Sequence, residues 1–338
     1  TRLTDVTVVQ TCALPICIFA AEPIEIFEFG LDENEPFEKL EAILSKYQLK
    51  ERRHLACAHI AQAGSLRSFE DEMAPAPFFC GGWIGYFGYE LGRFIEKLPG
   101  QAVDDIRLPV VRLAFYDKAI IYDHDKKIFN LITLEIQGDS VEQKFQILND
   151  WLQQARDISI VKPQPVNMEC IDVAAFECNM NQRQYLKAIE RIKDHIVEGD
   201  TYQINFSQRF QTDFNARPVD LFHWQNHFNP SPYAAYLSWG KTAIISASPE
   251  LFLIVRRDTI TTKPIKGTRP RNPLLADDTG ENHRQFNDLV KSEKERAELA
   301  MIVDLERNDL ARICIPGTRH VTCAREIEIF PTVYHAAG

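Results

Sequence analysis

The ten residues Thr262-Lys263-Pro264-Ile265-Lys266-Gly267-Thr268-Arg269-Pro270-Arg271 hold four cations, two prolines and a glycine, directly after an apolar strand pattern. Pro264 and Pro270 fix the backbone near both ends, and Gly267 admits a conformation or a close approach that other residues resist. Lys266 sits inside that frame. A lysine kept near apolar or cationic neighbours can lose its proton and act as a nucleophile. On composition alone, a solvated basic turn accounts for the same residues.

The rest of the chain narrows what such a lysine would serve. The 338 residues, 45% hydrophobic and 25% charged, suffice for a large core in two domains or one composite domain. A formal net charge of −10 excludes a general nucleic-acid binder. A protein of that sign that handles a small anion must build a local positive pocket, and residues 263–271 could supply one. None of the eight cysteines has CxxC spacing, so neither a zinc site nor a redox motif is indicated, and free thiols fit a reducing cytoplasm. The uncharged run Val6 to Ala21 contains Pro15 and is too short to span a membrane. No cleavage site follows it.

Periodicity supplies the elements that must position the basic segment. Helical spacing predicts helices over 35–49, 140–155 and 282–305. A further helix is capped by Asn181, with Gln184 three residues on and Gly199 ending it. Strands are expected over 109–123 and 127–136, around the turn Asp123-His124-Asp125. Alternation predicts another over 202–210, and more follow at 233–239, 242–247 and 250–256. Gly81-Gly82-Trp83-Ile84-Gly85-Tyr86-Phe87-Gly88 resembles a phosphate loop, but no Lys-Ser/Thr follows, so close backbone packing beside a strand is expected instead. Pro163 and Pro165 mark a boundary between halves, giving regions 17–165 and 174–338. Residues 1–16 look like translated sequencing adapter and are expected to be non-native.

Four motifs stand in order: Gly199-Asp200-Thr201-Tyr202-Gln203-Ile204-Asn205-Phe206-Ser207-Gln208, Ser246-Ala247-Ser248-Pro249-Glu250, the 262–271 segment, and Ser292-Glu293-Lys294-Glu295-Arg296-Ala297-Glu298 with Met301 to Leu305 and Arg307 to Leu310. Together they resemble the chorismate-utilising enzymes, which include anthranilate synthase component I and aminodeoxychorismate synthase component I. The resemblance runs from about residue 18 to 335. It implies an α+β fold, a two-lobed sandwich of mainly antiparallel sheets wrapped by helices. The family varies at position 266, where lysine is the residue of the aminodeoxychorismate synthases and alanine that of the anthranilate synthases.

What the resemblance implies for the chemistry is specific. Chorismate and ammonia would give 4-amino-4-deoxychorismate for p-aminobenzoate and folate, in the cytoplasm, with ammonia from a glutamine amidotransferase subunit. Glu250 would be the general acid for the departing C4 hydroxyl, kept protonated by burial. Lys266 would attack C2, and ammonia entering at C4 would expel it. Thr268 and His335 would bind substrate. Glu298, with Glu295 one turn away, would hold Mg2+. Each has a plainer account: a surface carboxylate after a turn for Glu250, a turn hydroxyl for Thr268, a structural histidine for His335. For the helix it is a solvated face with Lys291–Glu295 and Lys294–Glu298 pairs. The family's closing Gly-Ala-Pro-Lys motif, second metal-binding glutamate and carboxylate clamp are not among the 338 residues. The chain is therefore expected to be truncated at the C-terminus and inactive alone. The competing expectations are anthranilate synthase component I and a non-catalytic scaffold that docks an amidotransferase.

Overall fold

The computed structural model describes residues 6–11, 16–47, 59–62, 65–67, 79–100, 103–136, 139–156, 163, 175–278 and 280–338. The chain divides into two compact units, Thr1–Val161 with Phe222–Gly338, and Lys162–Leu221. Most of the boundary expected near Pro163 and Pro165 lies outside the described residues.

The first unit is built on antiparallel pairing. Its largest sheet has eight strands in the order 242–248, 233–239, 7–11, 16–20, 118–123, 128–133, 59–62 and 65–67. The strand Thr7–Thr11, within the segment expected to be non-native, pairs with Tyr233–Trp239 on one side and Ile16–Ala20 on the other. The helix Val141–Arg156 covers one face, where Phe145, Leu148 and Trp151 pack against Ile120 and Leu131. A three-stranded sheet joins Glu25–Phe29, Val111–Tyr116 and Gly82–Phe87.

The apolar run expected to form one strand over 109–123 is two strands in two sheets. It breaks at Asp117, which is only 3% exposed. The Asp117 carbonyl accepts from Leu134 N at 2.7 Å and its carboxylate pairs with Lys144 Nζ at 2.8 Å. A buried carboxylate needs such a partner, and the strands part around it. The glycine-aromatic cluster is itself a strand. A Cβ at Gly85 would stand 1.9 Å from Arg112 O, so the backbones can approach only because that residue is glycine.

The second unit carries the helix Gln182–Glu198, with the expected reciprocal capping of Asn181 and Gln184 and a left-handed Gly199 at its end. The strand expected over 202–210 does not form. Only Phe210–Gln211 pairs, with Glu177–Cys178. The alternation there makes an apolar face, but Tyr202 is 90% and Phe210 57% exposed, so burial does not reward an extended ladder. Residues 282–305 likewise differ from expectation. Two helices, Gly280–Lys291 and Glu293–Leu310, meet at Ser292, whose extended backbone and hydroxyl cap the second through Glu295 N. No helix among the described residues is long and apolar enough to cross a membrane.

Candidate active site

The basic segment is a strand pair rather than a turn. Thr259–Lys263 pairs with Leu251–Arg256, and after the buried Pro264 the strand Ile265–Pro270 pairs with Val333–Ala337. The register of the second pairing shifts between Ile265 and Thr268. Lys266 and Gly267 occupy that irregularity, and Gly267 has φ +93°. A bulge of this kind re-aims a side chain away from the regular pleat. Gly267 is required there for a second reason. A Cβ would meet Leu289 Cδ1 at 3.0 Å and Glu295 Cβ at 3.1 Å.

Lys266 is half-buried, and its Nζ donates to Ile265 O at 3.1 Å. Glu250 stands in the link between Thr242–Ser248 and Leu251–Arg256, and its Oε1 accepts from Ile265 N at 2.8 Å. The general-acid candidate is thus tied to the backbone one residue before the candidate nucleophile. Glu250 is solvent-exposed, so the burial expected of it is not present. Thr268 and His335 lie opposite each other in the pairing of their strands, with Oγ1 and Nδ1 2.9 Å apart. Burial lowers the imidazole's proton affinity below the ordinary histidine value, against the opposing pull of Glu328 and Glu250.

The two carboxylates expected to hold a metal separate in role. Glu295 accepts from Arg269 Nη1 at 3.2 Å, and Arg269 Nε also donates to Asp288 at 2.5 Å. Glu295 is therefore committed to the guanidinium and to the space above Gly267. Glu298 keeps a loose pair with Lys294 at 3.6 Å, and its carboxylate remains partly exposed. Among the described residues no third carboxylate or imidazole joins them at metal-ligand spacing. Among the described residues the one group with that spacing is His195, Glu198 and Asp200, in the second unit.

Beside the strand pair opens a cleft of about 920 Å³, lined by Leu251, Ile254, Thr262, Lys263, Ile265 and Glu328 among others. That volume suits a small ligand. Lys263 spans it to Glu326 and Glu328 at 2.5 and 2.7 Å. Lys266 is not among the lining residues, so the cleft flanks the candidate nucleophile without enclosing it.

One residue that the motifs pass over, Glu306, belongs to this neighbourhood. The Thr262 hydroxyl donates to Glu306 Oε2 at 2.8 Å. Glu306 sits between the quoted runs ending at Leu305 and resuming at Arg307. The signal that could have found it is periodicity: Glu295, Leu299, Ile302 and Glu306 follow each other at helical steps, and Leu299 is fully buried.

An α+β chain of antiparallel sheets, with a lysine in a bulged strand beside a carboxylate and a threonine–histidine pair, defines a class already represented among known structures. Anthranilate synthase component I from Streptococcus pneumoniae superposes with a TM-score of 0.69 at 26% identity, covering 96% of this chain and 68% of that one. The model of the chorismate binding enzyme family matches residues 22–337, and the chain belongs to that family. Among curated relatives, aminodeoxychorismate synthase component 1 of Escherichia coli is 34% identical over 267 residues, covering 76% of this chain and 52% of that protein. Anthranilate synthase component 1 of Streptomyces coelicolor is 36% identical over 271 residues, covering 78% and 52%. The chain spans about half the length of the curated relatives it matches.

Proposed function

We propose that this chain is the chorismate-binding portion of an aminodeoxychorismate synthase large subunit, which aminates chorismate at C4 with ammonia from a glutamine amidotransferase partner. One observation carries this above the anthranilate alternative, whose relatives are equally similar. Position 266 is lysine, in a bulged strand, one residue after the backbone N–H that Glu250 accepts. In the proposed reaction the neutral Lys266 amine forms a bond to C2 as the allylic C4–O bond breaks. The hydroxyl leaves as water with a proton from Glu250. Ammonia then bonds to C4, the C2–N bond breaks, and its electrons return to the lysine with the allylic shift. The Thr268–His335 pair offers a hydroxyl and a neutral imidazole that can orient the substrate.

For magnesium the donor set fits in part. Glu298 supplies one carboxylate of the kind that magnesium takes together with waters and substrate oxygens, whereas Glu295 is taken by Arg269. A bound magnesium ion would supply neutralising charge at the substrate carboxylates.

Products of the chain are compared with aminodeoxychorismate and anthranilate standards after incubation with chorismate, magnesium and ammonium. The proposal expects aminodeoxychorismate, plus a Lys266 peptide carrying chorismate less water when ammonia is withheld. Anthranilate as the product, or an undiminished adduct in Lys266→Ala, would sink it.

A further inference from the structure

The Arg269 guanidinium ties the strand of Lys266 to both helices that pack on it. Its Nε donates to Asp288 at 2.5 Å, on the helix Gly280–Lys291. Its Nη1 donates to Glu295 Oε1 at 3.2 Å, in the first turn of Glu293–Leu310, and to Thr268 O at 3.0 Å. The other Glu295 oxygen, Oε2, lies 3.1 Å from where a Cβ of Gly267 would stand, so this carboxylate reaches over the bulge that carries Lys266. Glu298 follows one turn along the same helical face. The two carboxylates differ in the cation they hold. Arg269 and Glu295 are largely shielded, their side chains 22% and 15% exposed, whereas Lys294 is 78% exposed and stands 3.6 Å from Glu298. Water weakens the second pair, and the lysine lacks the fixed fork of a guanidinium.

We propose that Arg269 is a positioning residue that holds Glu295 out of the coordination shell of magnesium, so that Glu298 binds the ion without it. The proposal rests on the reading of Glu298 as a magnesium ligand. A dication that approaches this face draws Glu298 from Lys294 easily, because the lysine head simply returns to water. Drawing Glu295 away is a different matter. It leaves a permanently charged, largely shielded guanidinium with one countercharge fewer. Asp288 would remain against it, but that carboxylate is 62% exposed and screened by water. Arg269 therefore occupies, as a fixed cation, the place at Glu295 that a metal would take. Magnesium binds through few carboxylates and fills its shell with waters and substrate oxygens. With Glu295 withheld, more of that shell is left to the substrate.

The experiment measures metal binding, so it does not depend on turnover. Mn2+ replaces magnesium, and its free fraction is read by electron paramagnetic resonance. The samples are the 338-residue protein, Glu295→Gln, Arg269→Gln and the variant carrying both changes. Glu295→Gln alone is expected to leave the affinity near the wild-type value, because the carboxylate it removes is not a ligand. Arg269→Gln is expected to tighten binding roughly tenfold, the scale on which residues around a metal's ligands act. The double variant should lose that gain, which makes the two residues strongly coupled. The group His195, Glu198 and Asp200 contributes equally to every sample. A tightening that survives in the double variant comes from the lost cationic charge alone and overturns the proposal. No tightening in Arg269→Gln overturns it too. Urea midpoints show whether each variant folds. Should Arg269→Gln not fold, the contrast between Glu295→Gln and Glu298→Gln decides: equal weakening by both would make Glu295 a ligand and sink the idea. Glu298→Gln also tests the underlying reading. Mn2+ binding untouched by it would remove Glu298 as a ligand, while the coupling of Arg269 and Glu295 is judged on its own.

Discussion

Thr268 and His335 face each other across two paired strands, hydroxyl to Nδ1 at 2.9 Å, although 67 residues separate them in sequence. The pairing puts a titratable ring on the strand that runs beside Lys266. Its burial lowers the imidazole pKa from 6.5, so the unfolded chain binds more protons than the folded one between the native value and 6.5. Stability should therefore fall as pH drops through 6.5, and level off once the native imidazole is charged too. Urea midpoints from pH 8 to 5 would test this. His335→Gln should flatten that slope, and a slope left unchanged by the substitution would show that another group causes it.

Asp277 is fixed by a charged and a neutral donor. Arg271 grips it through Nε at 2.7 Å and Nη2 at 2.8 Å, and the buried Tyr334 hydroxyl donates to it as well. The Arg271 bond foremost, then Tyr334, lowers the carboxyl from 3.8 to about 2. A depressed carboxyl contributes stability above its unfolded value and loses it as pH falls through the folded one. The loss should thus run from about 3.8 down to about 2. In Asp277→Asn that acid-dependent increment disappears, and thermal melts at neutral pH should shift down because Arg271 loses its partner. Equal acid sensitivity in wild type and variant would contradict the assignment.

Gly267 combines a positive φ with a crowded Cβ direction, since Leu289 and Glu295 lie 3.0 and 3.1 Å from where the atom would stand. Gly267→Ala should cost about 1–3 kcal/mol from the backbone conformation alone. Pushing Glu295 away should also loosen its bond to Arg269. Denaturant titration reads the first effect. Should the variant unfold at the wild-type midpoint, the bulge conformation would be wrong.

Much of this neighbourhood was legible in the sequence because it is local. Lys266, Gly267 and Thr268 lie within one rigid decapeptide, and the strands at 233–239, 242–247 and 250–256 followed from apolar patterning, whereas the strand Ile265–Pro270 itself stood where a turn was expected. The Asn181 cap was legible for the same reason, since both partners are three residues apart. What escaped depended on distant partners. Asp117 divides what was expected as one strand because Lys144 meets it from the helix Val141–Arg156. The alternating residues before Phe210 form no ladder because no sheet buries their apolar face. Ser292 was a local signal passed over: Ser292 with Glu295 three residues on has the spacing of a helix start inside what reads as one continuous helix. Glu295 matched a metal ligand by spacing, but only the fold reveals that Arg269 claims it.

The Asp117–Lys144 pair gives the sharpest stability test, because both charges are nearly out of water. Lys144 Nζ reaches Asp117 and Asp139 at 2.8 Å each and donates to Leu134 O at 2.8 Å. Burial opposes the lysine's charge, but the two carboxylates overcome it and raise its pKa above 10.5. Its contribution is therefore complete below 10.5 and is lost only as pH climbs past the raised value. Lys144→Met keeps the apolar stem and strands the Asp117 carboxylate, to which Lys118 approaches no closer than 3.5 Å. The expected cost is about 3–5 kcal/mol, the penalty of leaving one member of a buried pair uncompensated. Adding Asp117→Asn should recover part of that loss, because the neutral amide needs no countercharge. Urea unfolding of the two single variants and the double one measures the coupling. Strictly additive losses would mean that the two residues do not act as a pair.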